Sequence, residues 1–145
     1  MQIVTKARLN MQFQQLERTK SNHPRLRPLL EALETYSCRE VDGGRTRIVP
    51  ALAARALNKR EAETLALLML FDDSGVLTHE YDIVCKRNNA VLKTVTDKSK
   101  LEDALRVGVP CQLCDLEHGP DDLRTELVFE VTSAAVQAFR QHAFA

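Results

Sequence analysis

Between Pro50 and Cys85 the periodicity of the sequence changes twice, and that succession limits the folds open to the chain. Pro50 is tolerated in a first helical turn, where its missing N–H has no partner to lose, and it opens a short helix through Leu57. Asn58 interrupts that helix, and a longer one is expected from Lys59 to Asp73. Ser74-Gly75 closes it, Gly75 being suited to a left-handed terminal position. Val76-Leu77 then leads into His79–Cys85, whose alternation is that of a strand. Ala53 and Ala54 are expected where the two helices approach closely, and Leu65, Leu68 and Met69 are expected to pin the second helix to a core.

Short helix, tight turn, longer helix, glycine, strand is the order of a winged helix-turn-helix. The run Ala51–Leu57 through Gly75-Val76-Leu77 resembles bacterial winged-helix domains in its small-residue pattern, over about residues 25–85. The expected fold class is α+β: a winged helix-turn-helix with an appended small zinc-ribbon-like β subdomain and amphipathic terminal helices. The corresponding segments are an N-terminal amphipathic helix at 1–22, the winged helix-turn-helix at 23–84, and the ribbon-like subdomain with a C-terminal helix at 85–145.

The flanking elements follow from local patterns. Leu9, Phe13 and Leu16 recur at helical spacing between Thr5 and Lys20, giving a stripe that packs on its own domain or forms a homodimer seam. Ser21-Asn22-His23-Pro24 is a break, with Asn22 a candidate cap for a second helix carrying Leu26, Leu29, Leu30 and Leu33 through Tyr36; Pro28 delays its regular part. Asp42-Gly43-Gly44 is a turn signal, and it suggests a hairpin between Cys38–Val41 and Arg45–Val49. Beyond Cys85 come a polar turn at Lys86–Asn89, a strand at Ala90–Val95 and a short helix at Asp97–Val107. Ser99 and Glu102 stand at capping-box spacing in that helix, and Gly108 ends it. A strand at Glu126–Val131 and a last helix capped by Thr132 or Ser133, with Val136 and Phe139 on one face, complete the chain.

The 145 residues suffice for one domain, or one with an appended subdomain. Aromatic residues make up only 5% and tryptophan is absent, so the core must be mostly Leu, Val and Ala. The longest apolar run, Leu65–Phe71, falls far short of the ~20 residues of a membrane span. Met1–Lys20 lacks the apolar centre of a signal peptide, so the expected location is cytoplasmic, without a membrane partner. Twenty basic and 20 acidic residues cancel, whereas a protein living on the phosphate backbone usually carries a basic excess.

Cys111-Gln112-Leu113-Cys114 forms a C-x-x-C pair, which lets two sulfurs of one turn face one point. Cys85 ends the upstream strand, but its spacing partner is Asn88 where a zinc ribbon would have cysteine. His118 supplies a fourth donor, so Cys85, Cys111, Cys114 and His118 are the candidate ligands of a structural zinc ion. His79, at the far end of its strand, is a weaker candidate, and Cys38 belongs to another element. Two other readings compete: a ribbon that has lost its metal and survives on packing, and a redox C-x-x-C. Glu117, Asp121 and Asp122 cluster in one loop, but their spacing matches no calcium loop and reads as a solvated turn.

No phosphate-binding, dinucleotide, nucleophile-elbow or H-E-x-x-H motif occurs, and the chain is read as non-enzymatic. Two functions are weighed. The first is a protein-binding adaptor or accessory subunit; the whole arrangement resembles small accessory proteins encoded beside bacterial defence and signalling effectors. Its support is charge neutrality together with Glu61 and Glu63 at the start of the longer helix, where they would meet phosphates. The alternative is a DNA-binding transcriptional regulator. Arg55, Lys59, Arg60 and Thr64 of the helix pair and Arg45 and Arg47 of the hairpin are its DNA-binding candidates, and Lys86, Arg87 and Lys93 extend the patch.

Overall fold

The computed structural model describes residues 11–114 and 116–143. They form an α+β architecture of two compact units. One comprises the described residues up to Thr78 together with those from Phe129 onward, and the other comprises His79–Val128.

The first unit is mainly helical. It holds α1 (Met11–Asn22), α2 (Arg27–Asp42), β1 (Arg47–Ile48), α3 (Pro50–Leu57), α4 (Glu61–Asp73) and α6 (Ser133–Ala143). Helix α2 is the hub and packs against α1, α3, α4 and α6. Its buried face is Leu30, Leu33, Ser37 and Val41, a helical stripe that runs straight through the segment expected to be the first strand of a hairpin. Cys38–Val41 is therefore helical, because packing on α6 selects the helical period over the local alternation. The glycine pair ends α2 instead of turning a hairpin: Gly43 N–H donates to Arg39 O, Arg45 N–H donates to Glu40 O, and Gly44 takes φ +83°. Strand β1 pairs antiparallel with β6 (Leu123–Val131), Arg47 opposite Glu130 and Ile48 opposite Phe129. Asn22, expected as a cap, is the last residue of α1, and α2 starts after Leu26 with Pro28 in its first turn.

Helices α3 and α4 meet as the sequence indicates. Asn58 caps α3 in the left-handed region (φ 54°), Ala53 and Ala54 are buried, and Gly75 at φ +78° follows α4. The phase of α4 differs from expectation. Its inner face is Thr64, Leu67, Leu68 and Phe71, while Leu65 is half-buried and Met69 is 38% exposed.

Within the same unit, Leu16 of α1 is fully buried, Phe13 meets Phe139 edge-on at 5.6 Å, and Lys20 bonds Glu34 of α2 at 2.9 Å. The stripe of α1 is thus covered by its own chain; Leu9 lies outside the described residues. The Ser37 hydroxyl is fully buried and has no hydrogen-bond partner among the described residues. Removing it relieves an unsatisfied group, so Ser37→Ala should raise stability by about 1 kcal/mol, read as a higher denaturant midpoint.

In the second unit, the outer part of β2 (Leu77–Cys85) forms a hairpin with β3 (Val91–Val95), in register Tyr81 opposite Val95 and Ile83 opposite Lys93. Helix α5 (Lys98–Val107) follows. It is capped by Asp97, whose Oδ1 accepts from Lys100 N–H at 2.7 Å, not by the expected box of Ser99 and Glu102. Gly108 (φ +99°) ends it, and β4 (Val109–Cys111) pairs antiparallel with β5 (Leu116–His118). A 3-10 turn at Pro120–Asp122 leads into β6, which begins at Leu123, ahead of the expected Glu126. Ile83, Val95, Leu101, Ala104, Val109 and Leu123 make a core cluster in this unit, with Tyr81, Leu92 and Leu105 partly buried against it. The strand order β1-β6-β2-β3 makes β2 and β6 neighbours, and both run from one unit into the other. The C-terminal helix α6, expected with the ribbon-like segment, packs on α2 and α1, with Thr132 Oγ1 accepting from Ala135 N–H at its start.

Candidate metal centre

Three local devices converge on one point in the second unit. Cys85 is the last residue of β2. The turn after it is closed by Asn89 N–H donating to Cys85 O at 2.8 Å and by Cys85 N–H donating to Ala90 O at 2.9 Å, with Asn89 left-handed at φ +60°. Cys111 ends β4, Cys114 sits in the following turn, and His118 ends β5. The C-x-x-C spacing and the short hairpin therefore deliver three donors from one hairpin, and β2 delivers the fourth.

All four ligand atoms lie within 4.8 Å of one another. Cys85 Sγ is 3.8 Å from Cys114 Sγ and 3.4 Å from His118 Nε2. Tetrahedral zinc, with bonds of about 2.3 Å to sulfur and about 2.05 Å to nitrogen, sets edges of about 3.8 Å between sulfurs and about 3.6 Å between sulfur and nitrogen. The donor set and its spacing fit a zinc ion. Cys85, Cys111 and His118 are buried and Cys114 is half-buried, so the site is closed. A closed site with four protein donors is a structural one; catalytic zinc keeps a position open for water. A zinc ion held by Cys85, Cys111, Cys114 and His118 would cross-link the turn after β2 to the β4–β5 hairpin.

The immediate surroundings treat the sulfurs unequally. Asn88 Nδ2 donates to Cys111 Sγ at 3.6 Å and to Cys114 Sγ at 3.4 Å. The Asn88 amide, seconded by the Cys114 backbone N–H, draws the Cys111 thiol down to about 6, while lost hydration and the crowded sulfurs of Cys111 and Cys85 push Cys114 up to about 11. Three sulfurs this close repel as anions, which is the charge a divalent cation offsets. On the far side of the imidazole, His118 Nδ1 faces Asp122 Oδ2 at 3.8 Å, leaving Nε2 toward the sulfurs.

The four ligands favoured from the sequence, Cys85, Cys111, Cys114 and His118, are brought together here. The weaker candidate, His79, is not: its ring stands edge-on to Tyr81 at 5.7 Å. Cys38 lies in α2, where its sulfur donates to Phe139 O at 3.8 Å. The acidic loop is engaged by cations of the chain itself, Asp122 with Arg87 at 3.9 Å and the Asp121 carbonyl with Lys86 Nζ at 3.1 Å. Asn88 was visible in the sequence only as a missing cysteine; its spacing of C-x-x-N was the sole sign of its place at the centre.

The six DNA-binding candidates are not equivalent. Arg55, Lys59 and Arg60 are exposed, with Arg60 paired to Glu63 at 3.2 Å. Arg45 is exposed and paired with Glu40, and Arg47 is exposed on β1. Thr64 is fully buried, its hydroxyl donating to Arg60 O at 3.1 Å, so it cannot touch a nucleic acid. The phase of α4 places the threonine on the core stripe instead of the outward face expected of it.

No protein-family model, curated protein or solved structure matches the chain.

Proposed function

We propose that the chain is a non-enzymatic protein-binding adaptor, an accessory subunit of a larger bacterial defence or signalling complex. In this reading it is built as a winged helix-turn-helix whose wing is expanded into a ribbon-like metal module. Support for the architecture is the order α2-β1-α3-α4-β2, with β6 returning between β1 and β2. Between β2 and β6 the sequence runs through β3, α5, β4 and β5, where a winged helix has a simple hairpin turn.

The observation that carries the adaptor reading is the composition of α4. This would be the helix presented to a major groove, yet it holds Glu61, Glu63, Asp72 and Asp73 and no lysine or arginine. Such a helix repels the phosphate backbone, whose neutralisation supplies most non-specific DNA affinity. Its outward side offers Met69, and α3 offers Leu52 at 53% exposure. Apolar side chains beside carboxylates suit a protein surface with apolar and basic groups. No helix among the described residues is long and apolar enough to cross a membrane.

Two measurements test this. Titration into labelled mixed-sequence duplex DNA at low salt should show no binding. Binding that falls steeply with salt, and that is lost on replacing Lys59 and Arg60 by alanine, would establish the regulator reading instead. In the native host, cross-linking through the tagged full chain should capture a defined partner. Met69→Lys should reduce that capture by at least about tenfold while leaving the melting transition in place, since the residue is on the surface.

A further inference from the structure

We propose that Asn88 is a positioning residue of the metal centre: its side-chain amide holds the Cys111 and Cys114 sulfurs toward the metal point and disperses part of their thiolate charge. The inference rests on reading the Cys85, Cys111, Cys114 and His118 cluster as a metal site.

The amide has two hydrogens, and two sulfur acceptors stand within reach, at 3.6 Å and 3.4 Å. The other end of the same amide is fixed independently, because Ala90 N–H donates to Asn88 Oδ1 at 2.9 Å. That backbone donor can face only the oxygen, so the nitrogen must face the sulfurs. The turn that aims the residue is itself fixed by Asn89 N–H on Cys85 O and by the left-handed Asn89. Asn88 therefore links all three cysteines: its turn starts at Cys85 and its amide ends on Cys111 and Cys114. Three thiolates and one neutral imidazole around a divalent ion leave a net charge of about −1, and N–H···S bonds are the means at hand to spread it. In place of a further sulfur ligand, the C-x-x-N turn supplies two donors to sulfurs already present.

A purely structural role would be to shape the turn through Ala90, and aspartate retains it: Asn88→Asp keeps an oxygen for Ala90 N–H but has no hydrogen for sulfur. The test loads the full chain with cobalt(II) and reads the sulfur-to-cobalt charge-transfer bands, alongside zinc competition with a chromogenic chelator. Wild type should bind one cobalt with thiolate bands. Asn88→Asp and Asn88→Ala should both move those bands to lower energy, as sulfur electrons are no longer drawn toward N–H. Zinc affinity should fall by about 10- to 100-fold, the usual cost of losing a partner of a ligand. Unchanged bands and affinity in Asn88→Asp would overturn the role of Asn88 while leaving the metal site intact. A wild-type chain that takes up no cobalt with thiolate bands would overturn the metal site and, with it, any positioning role.

Discussion

Stripping metal from the intact chain with a strong chelator should unfold His79–Val128 and leave the first unit standing. The second unit is short, and among its described residues the core cluster is six aliphatic side chains with Tyr81, Leu92 and Leu105 partly buried against it. A core of that scale rarely contributes more than about 3–5 kcal/mol. Structural zinc binds small metal-dependent folds with an apparent free energy of about 10–16 kcal/mol. The share of it that only the native arrangement captures adds to so thin a core that losing the ion should unfold this unit. Among its described residues the first unit holds no such donor cluster and has a larger core, with Phe71, Phe129 and Phe139 buried alongside Leu16, Leu30, Leu33 and Leu68. Hydrogen exchange is the direct readout. Amides of β3, α5, β4 and β5 should lose protection on chelation and regain it on adding zinc, while α2 and α4 stay protected. His118→Ala should mimic chelation. Full protection of the second unit in metal-free protein would show that packing alone holds it.

The second large effect concerns the phase of α4. Phe71 is fully buried on that helix. Truncating a buried phenylalanine costs about 3–5 kcal/mol, partly as lost burial and partly as the cavity left behind. Against a total stability of about 5–15 kcal/mol for a typical domain, Phe71→Ala should bring the first unit close to unfolding at ordinary temperature. Met69→Ala, two positions earlier but on the outward side, should change stability by no more than about 0.5 kcal/mol. Urea unfolding followed by circular dichroism of the two variants checks the pair. Equal losses would mean that α4 faces its core differently.

That contrast also shows where the sequence was legible. The ends of α3 and α4 are set by local chemistry (Pro50, Asn58 and Gly75), and each acts as its backbone preference dictates. The phase of α4 is not local information. Leu65–Phe71 is apolar without interruption, so no polar side marks which residues turn inward, and only packing chose Leu67, Leu68 and Phe71 over Leu65 and Met69. The same holds for Cys38-Arg39-Glu40-Val41, which alternates like a strand by itself and became helical because Ser37 and Val41 continue the buried stripe of α2. The partner of β1 was equally hidden. Ile48 pairs with Phe129, and no local pattern announces a contact between residues so far apart in the chain. The four metal donors were readable for the opposite reason. Tetrahedral coordination admits few side chains and spacings, so C-x-x-C, an upstream strand-ending cysteine and a nearby histidine nearly define the set.

The distribution of those donors along the chain has a thermodynamic consequence. Cys111, Cys114 and His118 lie within a single short hairpin, whereas Cys85 must be brought in across β3 and α5. Gathering the three close donors closes only small loops, which costs little chain entropy even in a denatured polypeptide. The unfolded chain therefore competes for the ion, and the part of its affinity shared by both states adds nothing to the folding equilibrium. What the ion contributes to folding is concentrated in the bond that only the native arrangement completes, the one to the Cys85 sulfur.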